Sequence, residues 1–475
     1  IKRSAHEARC RPYIGALGSY CYCMLVSGIF PSELKLARVC PVHKGGAFNN
    51  ISNYRPISVL PVLSKVFESA INCRLRNFPS KYQIINTAQY GFQKGKSTEL
   101  ALLNVKEGIL NKFEKRLYTV GLFLDLRKAF DRIKHDILEG KLFEYGLRGA
   151  ALKLIMNYLS DRKQYVKLGS LASSATEFKQ GVPQGSILGP LLFILYIDDI
   201  CNIPYTEKLV MYADDTNAFF SADTMADLQV TVSYYLRHLE LWLHENKLDL
   251  NANKTRYVRP PNKPCINLKF SFQGTTLECV KTQKSLGAWF QDNMSWNTHV
   301  SKLVSELGKT VGFMHKLSDL VPLWLKKAIY YAHFYSRLSY CALVWAKTSA
   351  HNLNKLEMLQ KKVLKIFENF YRLPCELRTH QLFINHDPIR VRDLYAYKLI
   401  LYTQKNKLHR HSVDTSCRYT LRNQLRPVSL SRTRYEECLL HHPIPTVLNK
   451  FLTGIDFELP ERKFKKNVRS MLLQI

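Results

Sequence analysis

Apolar residues along this chain change their spacing repeatedly, and the changes predict alternating strands and helices. Residues 119–124 form a continuous apolar run, typical of a buried strand, that ends at Asp125. Residues 209–220 predict a strand, a two-residue turn and a second strand, with Asp214 and Asp215 at or beside the turn. We therefore expect an α+β domain around an antiparallel sheet, with acidic side chains at its strand ends.

Helical spacing of apolar residues predicts most of the other elements. They are residues 62–77, a helix that starts with Glu99 behind a cap at Ser97 or Thr98, a stretch around residues 137–143, residues 187–200, 300–314, 325–338 and 353–370. Residues 266–280 predict a short hairpin-like region. Residues 12–31 carry no charge, but their glycines and hydroxyls favour a buried helix end over a membrane span. Beyond residue 372 the pattern is weak and basic.

The charge of the chain indicates a polyanionic partner. Its 475 residues carry a formal net charge of +31, which favours nucleic acid over a membrane because the basic residues are spread along the sequence. Lys302, Lys309 and Lys316 recur every seven residues on one predicted helix; they are a solvated face or a surface that holds nucleic acid. The 12 scattered cysteines and the lack of a signal peptide predict reduced thiols in an intracellular protein.

The acidic strand ends suit nucleotidyl transfer. Extending a primer develops negative charge on the attacking oxygen and on the pyrophosphate, and two divalent ions stabilise both. Asp125 and Asp214 are the predicted bridging ligands, with Asp215 in support. Mg²⁺ fits best because it takes a few carboxylates together with substrate phosphates, and Mn²⁺ is a possible substitute. An isolated acidic pair in a turn is usually solvated surface, but two converging apolar strands favour a metal site.

A loop and an aromatic residue between these strands predict contacts with the incoming nucleotide. Gln184 offers an amide donor and acceptor, and Gly181 and Gly185 permit close approach of the backbone. Phe130 lies five residues after Asp125, where its ring could exclude a 2′-hydroxyl and so select deoxynucleotides. The alternative for Phe130 is an ordinary core phenylalanine.

Four basic residues are candidates for contacts with phosphates. Arg55, Lys94 and Lys96 could hold the triphosphate, although each alone is more often a surface charge. Lys254 could donate a proton to the leaving pyrophosphate or neutralise its charge.

Seven motifs in order give the chain a family resemblance. It resembles the reverse transcriptase of LINE-type (non-long-terminal-repeat) retrotransposons of the Jockey/CR1-like kind. The matching segments are residues 53–58, 91–98, 123–131, 181–190, 212–216, 251–255 and 286–287. Fainter similarity continues through residues 295–299 and 340–345. The departures are Gln93 in place of the usual arginine, and a start at Ile1 without the endonuclease that normally precedes this region.

The resemblance implies a right-hand polymerase of fingers, palm and thumb that copies RNA into DNA from a nicked target. It implies catalytic roles for Asp125, Asp214 and Asp215, and a primer grip at Leu286 and Gly287. The expected division is an upstream helix or linker in residues 1–34, fingers and palm in 35–260, a primer-grip hairpin and thumb helix in 261–320, and a mainly helical, basic region in 321–475. The implied partners are template RNA, a DNA primer or target and deoxynucleoside triphosphates, with a ribonucleoprotein in the nucleus and cytoplasm.

Two alternatives stay open at this point. One is a retrotransposon relic or domesticated protein that binds nucleic acid without catalysis; the intact carboxylates speak against simple decay. The other is an RNA-templated RNA polymerase, and Phe130 in place of a small or polar residue speaks against it. The sequence does not indicate an oligomeric state.

Overall fold

The computed structural model describes residues 15, 17–259, 268–369, 379–410, 426–428, 430–451 and 455–473. The expected domain boundary at 260, the first residues of the hairpin-like region and the expected helix end at Phe370 lie outside these ranges. The other two expected boundaries, at 34 and 320, stay predictions.

Within the described residues the strands form four sheets, and the sheet that contains β3 carries the acidic strand ends. They are β1 (Leu36–His43), β2 (Tyr54–Val59), β3 (Tyr118–Leu124), β4 (Lys163–Leu168), β5 (Leu171–Ala172), β6 (Thr176–Glu177), β7 (Lys208–Tyr212), β8 (Asp215–Ala222), β9 (Arg256–Val258), β10 (Ser271–Phe272), β11 (Thr275–Thr276), β12 (Glu278–Cys279), β13 (Thr282–Ser285) and β14 (Ala288–Gln291).

The central sheet has the strand order β12-β9-β3-β8-β7, and β3 is antiparallel to both β8 and β9. Leu124 at the end of β3 pairs with Thr216 near the start of β8, while Tyr212 pairs with Asp215 across the β7–β8 hairpin. A second sheet joins β1 to β2 and to β4. The predicted antiparallel sheet and the turn at Asp214 are therefore present.

Helices cover the sheets and continue beyond them. They are α1 (residues 17–27), α2 (Val62–Tyr82), α3 (Thr98–Glu114), α4 (His135–Glu144), α5 (Gly149–Leu159), α6 (Gly189–Ile197), α7 (Met225–Glu245), α8 (Asn297–Lys316), α9 (Leu323–Ile329), α10 (Ser336–Ser339), α11 (Ala342–Trp345), α12 (Ala350–Phe367), α13 (Thr379–His386), α14 (Leu394–Lys405), α15 (Arg434–Cys438), α16 (Pro443–Lys450) and α17 (Glu461–Leu473). Within the described ranges, no helix has the length and apolar character needed to cross a bilayer.

Local signals explain where several helices begin and end. The Ser97 hydroxyl accepts a hydrogen bond from Leu100 N at 3.2 Å, so Ser97 is the cap of α3. Helix α2 runs to Tyr82 with Pro79 inside it, five residues past its predicted end, and stops where Gln83 adopts a left-handed conformation. Between α9 and α10 a π-helical segment, Tyr330–Tyr335, makes one continuous helix of the region.

Helix α1 differs from the predicted buried helix end. Tyr20, Tyr22 and Val26 are exposed, while Met24 is buried and Leu17, Cys21 and Leu25 pack beside it against the core. The helix is therefore amphipathic: the face with residues 17, 21, 24 and 25 lies on the core, and the opposite face is exposed.

Two large hydrophobic cores organise the chain. The first surrounds α6 and the inner face of the central sheet, with Phe193 and Tyr196 fully buried. The second joins α3 and β14 to α8, α12 and α14, and includes Trp345. The second core therefore extends across residue 320, so the helical C-terminal region packs directly on elements that precede it.

Candidate active site

The three candidate carboxylates meet at one edge of the central sheet. Asp125 directly follows β3, Asp214 lies in the turn of the β7–β8 hairpin, and Asp215 begins β8. Strands β3 and β8 are adjacent and antiparallel, and Leu124 pairs with Thr216. Asp125 and Asp215 therefore lie side by side. The backbone of Asp125 is fixed on its other side, since Asn251 N donates to Asp125 O at 2.7 Å.

The carboxylates interact electrostatically. Desolvation and the charges of Asp214 and Asp125 raise the pKa of Asp215 to about 6. Desolvation and the charge of Asp125 also raise the pKa of Asp214, while the nearby Arg55 opposes that shift. Three like charges are thus held together at a strand edge, an arrangement that a cation stabilises.

A polar cavity of about 260 Å³ opens beside the carboxylates, and we call it the strand-edge cavity. Its lining includes acidic and basic side chains and part of β13. The lining residues are Phe123, Leu124, Asp125, Asp215, Asn217, Lys254, Arg256, Gln283, Lys284 and Ser285. Lys254 is exposed in the turn before β9. The structure therefore brings Lys254 to the same cavity as two of the candidate metal ligands.

The loop that carries Gln184 is clamped between β2 and the segment after β3. Gln184 Nε2 donates to Asp131 Oδ1 at 2.7 Å, and Gln184 O accepts from Ser58 N at 2.7 Å. Gly185 has φ +119°, and a Cβ there would lie 2.6 Å from Ser58 O. The glycine is thus required by close backbone approach, while the Gln184 amide is already engaged by a carboxylate.

The environment of Phe130 is compatible with both interpretations of the sequence, a residue that selects the sugar and an ordinary core phenylalanine. It lies in the short 3₁₀ turn Ala129–Asp131, and its ring stacks on Phe193 of the core with centroids 4.3 Å apart. The side chain is only half-buried. The packing fixes the ring five residues after Asp125, and its role in sugar selection stays a prediction.

The basic candidates occupy different environments. Arg55 is exposed on β2 and close enough to influence Asp214, and Lys94 is exposed in the loop before α3. Lys96 differs: its ammonium donates to Thr87 O and Gln89 O, each at 2.7 Å. These two hydrogen bonds give Lys96 a role in holding the loop, and its contact with the triphosphate stays a prediction.

The predicted primer grip is a tight hairpin. Leu286 (φ 44°) and Gly287 (φ 81°) form the turn between β13 and β14, and Tyr340 Oη donates to Leu286 O at 2.7 Å. On α8, Lys302, Lys309 and Lys316 are all exposed, and Lys302 Nζ lies 3.2 Å from the centroid of the Trp289 ring. Their contacts with nucleic acid stay predictions.

Two buried residues that were not predicted from the sequence hold the site together. Gln89 is fully buried, and its Oε1 accepts from Gly91 N at 2.8 Å and from Ala213 N at 3.0 Å, which fixes the turn beside Asp214. Glu68 on α2 is also fully buried and accepts from Ile187 N at 2.6 Å, which anchors the end of the Gln184 loop. The sequence offered one signal for each: Gln89 lies two residues before Gly91, and Glu68 is a single acidic residue on the apolar face of a predicted helix.

The donor set fits Mg²⁺ that is completed by substrate. Among the residues that the structure describes, no group of three His, Cys, Asp or Glu side chains forms a ready-made metal cluster. Mg²⁺ is commonly bound by one or two carboxylates together with phosphates and water, so the Asp125, Asp214 and Asp215 edge provides what the protein side of such a site needs.

The chain belongs to the reverse transcriptase family. Residues 42–289, more than half of the sequence, match the family described as reverse transcriptase (RNA-dependent DNA polymerase). This range contains the carboxylates, the Gln184 loop and the Leu286–Gly287 turn of the predicted primer grip. The expected α+β reverse transcriptase fold is thereby confirmed.

The similar proteins are from mobile elements. The chain is 28% identical over 358 residues to the probable RNA-directed DNA polymerase from transposon BS of Drosophila melanogaster, covering 71% of this chain and 38% of that protein. It is 26% identical over 439 residues to the RNA-directed DNA polymerase from mobile element jockey of Drosophila funebris, covering 90% and 47%. The expected LINE-type resemblance is confirmed, and the chain spans less than half the length of these relatives.

Solved structures also show similarity to the chain. Apo telomerase from Candida tropicalis is 13% identical, with a TM-score of 0.42, and the match covers 85% of this chain and 73% of that one.

Proposed function

We propose that this chain is an RNA-directed DNA polymerase of a non-long-terminal-repeat retrotransposon and extends a primer on an RNA template by two-metal nucleotidyl transfer. The observation that carries the proposal is the meeting of Asp125, Asp214 and Asp215 at adjacent strand ends, inside the range that matches the reverse transcriptase family. The names of the similar mobile-element proteins support the choice of RNA as template and DNA as product.

In this proposal Asp125 and Asp214 hold two Mg²⁺ ions, and Asp215 contributes negative charge beside them. Bound there, the ions supply charge stabilisation for the attacking 3′-oxygen and the leaving pyrophosphate. Desolvation, together with neighbouring like charge, raises the pKa values of Asp214 and Asp215, so cation binding favours the ionised carboxylates that serve as ligands.

Other side chains orient the nucleotide and the leaving group. Lys254 lines the strand-edge cavity with Asp125 and Asp215, which supports our proposal that its ammonium neutralises or protonates the pyrophosphate. Arg55 faces Asp214 and supplies a cation for the triphosphate. Phe130, held on Phe193, provides the wall that excludes a 2′-hydroxyl, while Gln184 positions Asp131 behind it.

Template RNA, a DNA primer and deoxynucleoside triphosphates are the proposed partners. The net charge of +31 suits two phosphate backbones, and Lys302, Lys309 and Lys316 present exposed ammonium groups along α8. Action as a nuclear and cytoplasmic ribonucleoprotein belongs to the same proposal.

Primer extension tests the proposal. Purified protein with Mg²⁺, deoxynucleotides and a primed RNA template should extend the primer, and Asp214→Ala should reduce the rate by at least about a thousandfold because one ligand of the ion pair is removed. Asp223→Ala is the matched control, since Asp223 is exposed beyond the far end of β8; it should retain the native rate.

Two results would contradict the proposal. Extension by Asp214→Ala at the native rate would remove the assignment of the carboxylates. Template binding by the native chain with no extension would instead favour a nucleic-acid-binding protein that has lost catalysis.

A further inference from the structure

A second cavity, of about 340 Å³, lies between α3, the loop before α8, α11 and α15, and we call it the Lys106 cavity. Its lining is Lys106, Leu110, Asn293, Met294, Ser295, Trp296, Val344, Lys347, Arg434, Tyr435 and Cys438. It shares none of these residues with the strand-edge cavity. Its volume lies within the range of small-molecule sites.

Lys106 is an unusual residue for a protein interior. Its side chain is 1% exposed, on the same face of α3 as the buried Leu110 and Phe113, and its ammonium has no hydrogen-bond partner among the residues that the structure describes. Burial lowers the pKa of Lys106. An unpaired buried cation is strongly unfavourable, and such groups are normally paired.

The nearest acidic group does not complete this environment. Glu107 follows Lys106 directly on α3, and adjacent helical residues do not face each other. The Glu107 carboxylate instead accepts from Leu440 N at 3.1 Å, and desolvation raises its pKa. The Cys438 and Glu107 side chains both oppose the lowering of the Lys106 pKa by burial, but neither forms a hydrogen bond with the ammonium.

Further cations line the same cavity. Lys347 is half-buried, donates to Glu437 O, and has a pKa that burial lowers. Arg434 is exposed on the same lining. The lining therefore contains three cationic side chains and no carboxylate. Trp296 and Tyr435 add aromatic surface beside them.

We propose that the Lys106 cavity binds a phosphate monoester, with the Lys106 ammonium as its buried donor and with Lys347 and Arg434 as supporting cations. Charge-assisted hydrogen bonds from ammonium and guanidinium groups are the usual means of holding phosphate. The aromatic walls and the volume suit a group of nucleotide size. Its source is a free mononucleotide or the 5′-terminal nucleotide of a nucleic acid, since the two share this chemistry.

Calorimetric titration without divalent metal tests the site independently of polymerase activity. The probes are inorganic phosphate, adenosine 5′-monophosphate, and a short RNA with and without a 5′-phosphate. Lys106→Met conserves most of the side-chain volume and removes the charge, so it should weaken phosphate binding by at least about tenfold. Lys115→Met is the control, because Lys115 is exposed at the end of the same helix.

The measurements separate the outcomes. Tighter binding of the mononucleotide than of inorganic phosphate supports a free nucleotide as ligand, and a Lys106-dependent advantage of the 5′-phosphorylated RNA supports a nucleic-acid end. Lys106→Met should melt at the same or a higher temperature than the native chain without ligand, since it removes an unpaired buried charge. Equal phosphate affinity in Lys106→Met and the native chain, or no Lys106-dependent binding of any probe, overturns the proposal.

Discussion

The strand-edge cavity and the Lys106 cavity are both lined by charged side chains, but they balance that charge differently. The first has Asp125 after β3 and Asp215 at the start of β8, together with Lys254, Arg256 and Lys284, so its lining carries both signs of charge. The second has a buried ammonium and two further cations without a carboxylate in its lining. A mixed, open lining accommodates metal ions and phosphates together, whereas a buried lining of one sign requires an anion from outside.

The largest effect that sharpens this contrast is expected at Lys254. Lys254→Met should lower the maximal rate of primer extension by about a hundredfold, because a positioned acid or cation at the leaving group typically contributes that much. Since Lys254 acts on the leaving group in our proposal, the apparent affinity for nucleotide should change little. Rates measured over a range of nucleotide concentrations separate the two parameters.

The control for Lys254 is Lys281→Met, which removes an exposed lysine that does not line the strand-edge cavity. It should retain the native maximal rate. A Lys254→Met variant with a native rate would show that the Lys254 ammonium has no part in nucleotidyl transfer.

The next effect concerns the backbone that shapes the strand-edge site. Gly185→Ala should reduce the free energy of unfolding by about 2–3 kcal/mol, since a Cβ would lie 2.6 Å from Ser58 O and the residue has φ +119°. Gly140→Ala is a matched substitution in exposed helix α4 with no heavy atom within 4 Å of the new Cβ, and it should stabilise by about 0.5–1 kcal/mol. Denaturant unfolding measures both, and a loss of equal size in the two variants would contradict the close-approach argument.

The two cavities also differ in how far the sequence predicts them. Asp125 and the Asp214 turn each end a short apolar run, so local pattern predicted both at strand ends, while the structure shows that the two strands are adjacent. Lys106 and Cys438 come together only because the second core folds the C-terminal helices onto α3, and no local pattern encodes that approach. Long-range packing of this kind is fixed by shape and burial across the whole chain.

The C-terminal region shows the same limit. The weak, basic pattern beyond residue 372 did not delimit individual helices, yet residues 462–466 lie on α17, where Phe464 is fully buried and Val468 and Leu472 continue the same face. The spacing of four residues between Phe464, Val468 and Leu472 predicts a helix with one apolar face. Its partner Ile400 on α14 lies far away in sequence and was not predictable from local pattern.

The smallest expected effect lies behind the Lys106 cavity, at His299. His299 packs beside Trp296 and Trp345, and burial lowers its pKa to about 4. In the unfolded chain an imidazole has a pKa of about 6.5, so between these values the unfolded state binds a proton that the folded state does not. Stability should therefore fall as the pH drops through this window, by about 2 kcal/mol between pH 7 and pH 5.

His299→Leu should remove this part of the pH dependence while it lowers stability by a constant amount at both pH values, because Trp289 N loses the acceptor Nδ1 at 3.5 Å. Asp198 and Asp215, whose pKa values burial raises to about 6, act in the opposite direction, since protonation favours their folded environment. Both carboxylates are present in the two chains, so the difference between native and variant unfolding free energies at pH 7 and pH 5 isolates the imidazole. If the difference in unfolding free energy between the native chain and the variant is the same at pH 7 and pH 5, His299 becomes protonated in the folded protein. The wall behind the Lys106 cavity would then tolerate a positive charge, and the cavity would have less need of an external anion.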